Sequence, residues 1–179
     1  MQGKLIIFSA PSGSGKTTIV KHLAENNANL DFAISACTRD KRGRTEKDGV
    51  DYYFLSPEEF KTKIDNDEFV EWEEVYDGAF YGTLKSELER LWNKGNHVLL
   101  DLDVKGGLNV KKYYGEKALA IFVKPPSYDA LTKRLKNRNT DPEDSISRRL
   151  FKARFELTFE DKFDVTLINE VLDEIGRAH

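Results

Sequence analysis

The sequence predicts a three-layer α/β fold with a central parallel sheet, interrupted by one β-rich insertion and one helical insertion. Three observations carry this expectation. Short apolar runs such as "KLIIF" (4–8), "HVLLDLD" (97–103) and "ALAIFVKPP" (118–126) read as strands buried on both faces. Segments with helical spacing alternate with them, which implies parallel strands joined by right-handed crossovers. A glycine-rich turn, "APSGSGKTT" (10–18), separates the first strand from the first helix.

Each element has its own local reason. After "KLIIF", the stretch "TTIVKHLAENN" (17–27) places apolar residues at helical spacing, and "FAISAC" (32–37) reads as a second strand. "SPEEFKTKIDNDE" (56–68) opens with Ser56 as N-cap, Pro57 at the first helical position and Glu59 completing a capping box. "EFVEWEEVYDGAFYGT" (68–83) alternates about Asp77-Gly78, the signature of a hairpin. "LKSELERLWNKG" (84–95) is a helix closed by Gly95, and "HVLLDLD" a strand ending in acidic residues. The strand "ALAIFVKPP" is stopped by Pro125 and Pro126. "SYDALTKRLKNR" (127–138) is a helix capped by Ser127, and another begins near Pro142 and carries "SISRRLFKARFELTFED" (145–161). "FDVTLINE" (163–170) is the last strand. Without a repeat or low-complexity linker, the expected organisation is one domain over 1–179, with insertions near 35–82 and 128–155.

Composition narrows the function. A length of 179 residues suits one domain, and 33% charged against 39% hydrophobic residues is a soluble globular balance. The formal net charge of -3 lacks the basic footprint of a nucleic-acid binder. Locally, though, Arg39, Lys41, Arg42, Arg44 and Lys47 crowd into "SACTRDKRGRTEKDGVDYYF" (35–54), a cluster fit for a small anion. The single cysteine, Cys37, forms no internal disulfide and reads as a packed small residue in a reduced, cytoplasmic setting. "KLIIFSA" is too short and too early for a secretory signal, and no apolar run approaches the ~20 residues of a membrane span. A soluble intracellular protein is expected, with no membrane and no nucleic acid as partner. His22, His97 and His179 share no ligand spacing, so zinc and histidine catalysis have no support; Trp72 and Trp92 read as packing residues.

The turn "APSGSGKTT" fits the phosphate-loop pattern at Gly15, Lys16 and Thr17, with Ala10 where the first glycine is expected. Glycines let the loop from Ala10 and Pro11 through Ser12, Gly13, Ser14 and Gly15 to Thr18 curl so that successive backbone N–H groups, which Pro11 lacks, point at phosphate oxygens. The helix that follows adds its positive end. Lys16 supplies a mobile charge for the β- and γ-phosphates, and the Thr17 hydroxyl suits Mg²⁺. ATP or GTP binding is the expectation.

With this loop placed, "SAPSGSGKT", "S-x-x-TR-x-x-R", "DGVDYYF", "FVEWEEV", "YGT", "DLDVKGG", "IFVKPPS", "RL-x-x-R" and "LINE" follow in order, and the chain resembles the guanylate kinases from about Lys4 to Asn169. The resemblance implies an ATP:GMP phosphotransferase working with Mg²⁺, as a monomer or homodimer. It implies a GMP-binding insertion at 35–82, a lid at 128–155 and a core of 1–34, 83–127 and 156–179. It places the GMP phosphate on Ser35, Arg39, Arg42, Tyr52 and Tyr81, and guanine on Glu71, Asp103 and the Thr83 hydroxyl. Asp101 would stand near Mg²⁺ or its waters, Arg134, Arg138 and Arg149 would be lid arginines beside the transferring phosphoryl, and Asn169 would lie near adenine. Where the family commonly reads "TR-x-PR-x-GE", this chain reads "TRDKRGRTE": the proline is missing, one residue is added, and Glu46 takes the place of the family's acid with Arg44 as an extra charge. The loop before "YGT" is also one residue longer, and the family continues into a longer final helix.

The residue types suit that chemistry. Guanine presents two donors on one edge, and a pair of acceptor-only carboxylates complements it, whereas adenine would leave them unpaired. On its own, Glu71 within "EWEE" fits a solvated strand face, and Arg134 and Arg138 fit an exposed basic helix face. Two other classes share parts of the pattern. A phosphopeptide-binding scaffold module would dispense with Lys16, and a kinase acting on a sugar phosphate would not need Glu71 and Asp103.

Overall fold

The computed structural model describes residues 3–41, 45–76, 78–137 and 143–170. Its strands are β1 (Leu5–Ser9), β2 (Leu30–Phe32), β3 (Ala36–Cys37), β4 (Tyr53–Phe54), β5 (Phe69–Tyr76), β6 (Ala79–Leu84), β7 (His97–Leu102), β8 (Ala118–Lys124) and β9 (Val165–Ile168). Its helices are α1 (Lys16–Asn26), α2 (Pro57–Asp65), α3 (Lys85–Asn93), α4 (Val104–Tyr114), α5 (Tyr128–Asn137) and α6 (Glu143–Leu157). The chain forms two compact units. One, here the P-loop unit, takes Lys4–Leu30 and the chain from Leu99; the other, the mixed-sheet unit, is built mainly from Asp31–Val98.

The expected α/β architecture is present. A five-stranded sheet runs in the order β2-β7-β1-β8-β9, with β1–β8 and β8–β9 paired in parallel. Strand β1 alternates its contacts as a doubly covered strand must. Phe8 packs in a cluster with Ile19 and Val20 of α1, against which Ile6 also rests. On the other face, Ile7 and Ser9 meet Gly107 of α4 so closely that a Cβ there would press into the Ser9 hydroxyl. Helices on both faces give the three layers.

In the mixed-sheet unit the order is β4-β3-β6-β5, with β3 antiparallel to β6 and parallel to β4. The expected hairpin is β5–β6, antiparallel, with Gly78 at φ 76° in its turn; its other turn residue, Asp77, lies outside the described residues. The sheet folds over Phe60 of α2, which stacks on Phe69 at 4.3 Å between ring centres and packs with Ala36 and Leu84. Helix α2 opens on the expected capping box. Ser56 Oγ accepts from the Glu59 N–H at 3.1 Å, and Glu59 Oε2 accepts from the Ser56 N–H at 2.8 Å.

Four details differ from the sequence expectation. The run 32–37 is not one strand but the end of β2 and all of β3, which belong to different sheets. The two-residue strand β4 carries no periodic signal. Helix α4 begins with "VKGGLNV", and its paired glycines lower helix propensity by about 1 kcal/mol each relative to Ala. Tertiary packing overrides that cost, because only a residue without a Cβ lets α4 approach Ile7 and Ser9. Trp72 is also less packed than expected: it touches Phe80 but is 46% exposed. Among the described residues, no helix is long and apolar enough to cross a membrane.

Candidate nucleotide-binding sites

The P-loop unit builds its site at the end of β1. Gly13 and Gly15 take φ values of 88° and 84°, the left-handed region where a side chain strains the backbone. Ala10 needs no such freedom, since Asp67 is the sole non-glycine residue with positive φ among the described residues. The loop lines a cavity of about 310 Å³, with Asp101, Leu102, Asp103, Lys152 and Glu156 as its other walls. Lys16 Nζ donates to the Leu102 carbonyl at 2.6 Å and pairs with Asp101 Oδ1 at 2.5 Å. The Thr17 hydroxyl donates to Asp101 Oδ2 at 3.2 Å. Thus the ends of β1 and β7 bring an ammonium, a hydroxyl and a carboxylate together at a helix N-terminus.

The back of this loop is braced. Asn169, buried just past β9, donates through Nδ2 to the Ser14 carbonyl at 2.8 Å. Its own carbonyl accepts from Arg134 Nη2 of α5 at 3.0 Å. Ser14 Oγ and Arg134 Nη1 are buried without a hydrogen-bond partner among the described residues, leaving polar capacity on both sides of this brace. Asp103 stands at the N-cap of α4, where Oδ1 accepts from the Gly106 N–H at 2.6 Å and its carbonyl accepts from Ser9 Oγ at 3.0 Å. Arg149 is half-buried on α6, whereas Arg138 lies outside the described residues.

The mixed-sheet unit gathers a second set. The Arg39 guanidinium grips Glu46 with two bonds, Nη1 to Oε2 at 2.8 Å and Nη2 to Oε1 at 2.6 Å. Those bonds raise the Arg39 pKa further and fix its planar fork. The same guanidinium lies 4.9 Å from the Tyr52 ring centre, and Tyr52 meets Tyr81 edge-on at 6.2 Å. Beside them, Glu71 and Thr83 face each other in the β5–β6 register, and the Thr83 hydroxyl donates to Glu71 Oε1 at 2.8 Å. Ser35 directly precedes β3, its carbonyl accepting from the Tyr53 N–H at 2.9 Å. Arg42 and Arg44 lie outside the described residues.

The family profile described as Guanylate kinase matches residues 2–178. The chain belongs to the guanylate kinase family. Guanylate kinase from Bacteroides thetaiotaomicron is 56% identical over 173 residues, covering 97% of this chain and 84% of that protein. Guanylate kinase from Porphyromonas gingivalis is 49% identical over 170 residues, covering 94% and 90%. The crystal structure of guanylate kinase from Anaplasma phagocytophilum superposes with a TM-score of 0.72 at 33% identity, covering 98% of this chain and 81% of that one.

Guanylate kinase membership does not explain every group at these sites. Glu156 of α6 lines the P-loop cavity, is 7% exposed, and has Lys152 Nζ 3.7 Å from its carboxylate. Burial pushes its pKa up, against the opposing pull of Lys152. Sequence reading passed it over, because an i,i+4 Lys–Glu pair looks the same on a solvated helix face. Cys37, as expected, is a packed residue: it is fully buried in β3 and burial pushes its thiol pKa up.

Proposed function

We propose that this protein transfers the γ-phosphoryl group of ATP to GMP, giving ADP and GDP. The observation that carries the reading is the convergence of Lys16 and Thr17 on Asp101 at a glycine-built loop. That is the equipment for a nucleoside triphosphate and a divalent cation. The Arg39–Tyr52–Tyr81 cluster supports an acceptor phosphate, and the Glu71–Thr83 pair supports a purine with donors on its edge. In this reading Ser35, Arg39, Arg42, Tyr52 and Tyr81 hold the acceptor phosphate, while Glu71, Thr83 and Asp103 read guanine. Glu46 belongs to the same GMP site, where its carboxylate orients the Arg39 fork through two hydrogen bonds.

The donor side follows the same logic. Backbone N–H groups of the loop hold the α- and β-phosphates, Lys16 follows the β- and γ-phosphates, and Arg134, Arg138 and Arg149 neutralise charge on the transferring group. Asn169 positions the loop from behind and borders adenine. The Thr17 hydroxyl and Asp101 carboxylate, hard oxygen donors 3.2 Å apart, fit Mg²⁺, which keeps most of its shell for water and phosphate. When bound, that ion neutralises charge between the β- and γ-phosphates. An oxygen of the GMP phosphate attacks the γ-phosphorus in line, the bond to the β-phosphate oxygen breaks, and ADP leaves. We assign residues 35–82 to GMP binding and 128–155 to a lid over the donor, in a cytoplasmic enzyme acting as a monomer or homodimer.

A panel of acceptors with Mg·ATP tests the reading. ADP formation is expected to be far faster with GMP than with AMP, UMP or CMP, and Glu71→Gln is expected to raise the KM for GMP at least tenfold. Equal rates with AMP would sink it.

A further inference from the structure

We infer that Glu87 is a positioning residue for the acceptor phosphate, holding in register the two segments that carry Ser35 and Tyr52. The inference rests on the proposed phosphate site and adds a residue to it. Glu87 lies in the first turn of α3 and is 2% exposed. A carboxylate so buried is costly unless its oxygens are saturated with donors, and here four donors reach it. Oε1 accepts from the Ile34 N–H at 3.1 Å and from Arg90 Nη2 at 2.8 Å. Oε2 accepts from the Tyr53 hydroxyl at 2.8 Å and from Arg90 Nε at 2.8 Å. Burial pushes the Glu87 pKa up, but Arg90, the Ile34 N–H and Tyr53 together hold it below the usual carboxylate range.

Two of these bonds leave the helix, and both land next to proposed phosphate ligands. Arg90 is three residues on in α3 itself, so its fork neutralises the charge without ordering anything outside the helix. The Ile34 N–H directly precedes Ser35, and Tyr53 directly follows Tyr52. The Tyr53 N–H also donates to the Ser35 carbonyl, closing a ring of three bonds through one carboxylate. Strands β3 and β4 are only two residues each, too short to set their own register firmly. The carboxylate supplies the missing constraint. Through it, Tyr52 is held where its ring meets both Arg39 and Tyr81.

The test separates phosphate positioning from mere stability. Dissociation constants for GMP and for guanosine are measured by calorimetry in wild type, Glu87→Gln, Tyr53→Phe and Arg39→Met, together with KM for ATP. Losing bonds at a saturated buried carboxylate is expected to weaken GMP about tenfold in Glu87→Gln and about threefold in Tyr53→Phe. Guanosine binding and KM for ATP should stay within about twofold of wild type. Unchanged GMP affinity, or equal weakening of GMP and guanosine, overturns the inference; if Glu87→Gln does not fold, Tyr53→Phe decides by the same criterion. Arg39→Met tests the underlying site separately. If it leaves the GMP-to-guanosine ratio untouched, the phosphate site itself is wrong. If it collapses the ratio while Glu87→Gln does not, Glu87 alone is misassigned.

Discussion

Replacing Gly107 with Ala would set two ordinary rules against each other. Ala is the better helix former by about 1 kcal/mol, so a substitution in α4 should stabilise if the helix stood alone. It does not stand alone. The new Cβ would push into Ser9 Oγ and lie 3.2 Å from Ile7 Cγ2 and 3.4 Å from Ser9 Cβ. Two responses are open. Ser9 can rotate, giving up its bond to the Asp103 carbonyl inside a fully buried site, or α4 can retreat from β1. The first costs about 1–3 kcal/mol for the unpaired group and the second about 1–3 kcal/mol for overpacking. After the propensity gain, Gly107→Ala should destabilise by up to about 2 kcal/mol. Urea denaturation of Gly107→Ala, Ser9→Ala and the double variant measures it. Removing the hydroxyl relieves the worst overlap, so the double variant should be more stable than the sum of the singles by about 1 kcal/mol. Strict additivity, or a stabilised Gly107→Ala, would refute the claim that close approach is what holds glycine there.

Two further outcomes follow from burial. Because Glu156 has a pKa raised by burial, its favourable contribution is complete below the ordinary glutamate value of about 4.3 and is lost as pH rises through the folded value. Calorimetric melting should therefore find Glu156→Gln more stable than wild type at pH 8, with the gap narrowing toward pH 4; a less stable variant at pH 8 would mean that the Lys152 pairing outweighs burial. Phe60→Ala removes the ring on which the mixed sheet folds and should cost about 3–5 kcal/mol in urea denaturation, whereas a cost under about 1 kcal/mol would deny that role.

Much of this was legible in the sequence because it is local. The capping box of α2, the β5–β6 hairpin and the Gly13–Gly15 turn each follow from a few adjacent residues whose backbone preferences agree. The phosphate loop was legible for the same reason, and so was the meeting of Arg39 with Tyr52 once the motif order was known. What escaped depends on partners far along the chain. The paired glycines of α4 give no helix signal of their own, and only the fold shows that Ser9 and Ile7 require a bare Cα at Gly107. Asp103 was expected as a base reader, and only the fold adds that one of its oxygens also caps a helix. Glu87 looked like any acid on an amphipathic helix, because nothing nearby in sequence shows that Ile34 and Tyr53 converge on it.

The burial of Cys37 has a practical use. It is the chain's single cysteine and occupies β3, paired with Tyr81 on one side and Phe54 on the other. A thiol that is fully enclosed and pushed away from its reactive thiolate form cannot be alkylated until the strand opens. Its labelling rate is then the intrinsic rate multiplied by the opening constant of that strand. One reagent and one mass shift would report, residue-specifically and without any engineered label, how often β3 detaches from its neighbours. A ligand held by Arg39, two residues further on, would slow that clock.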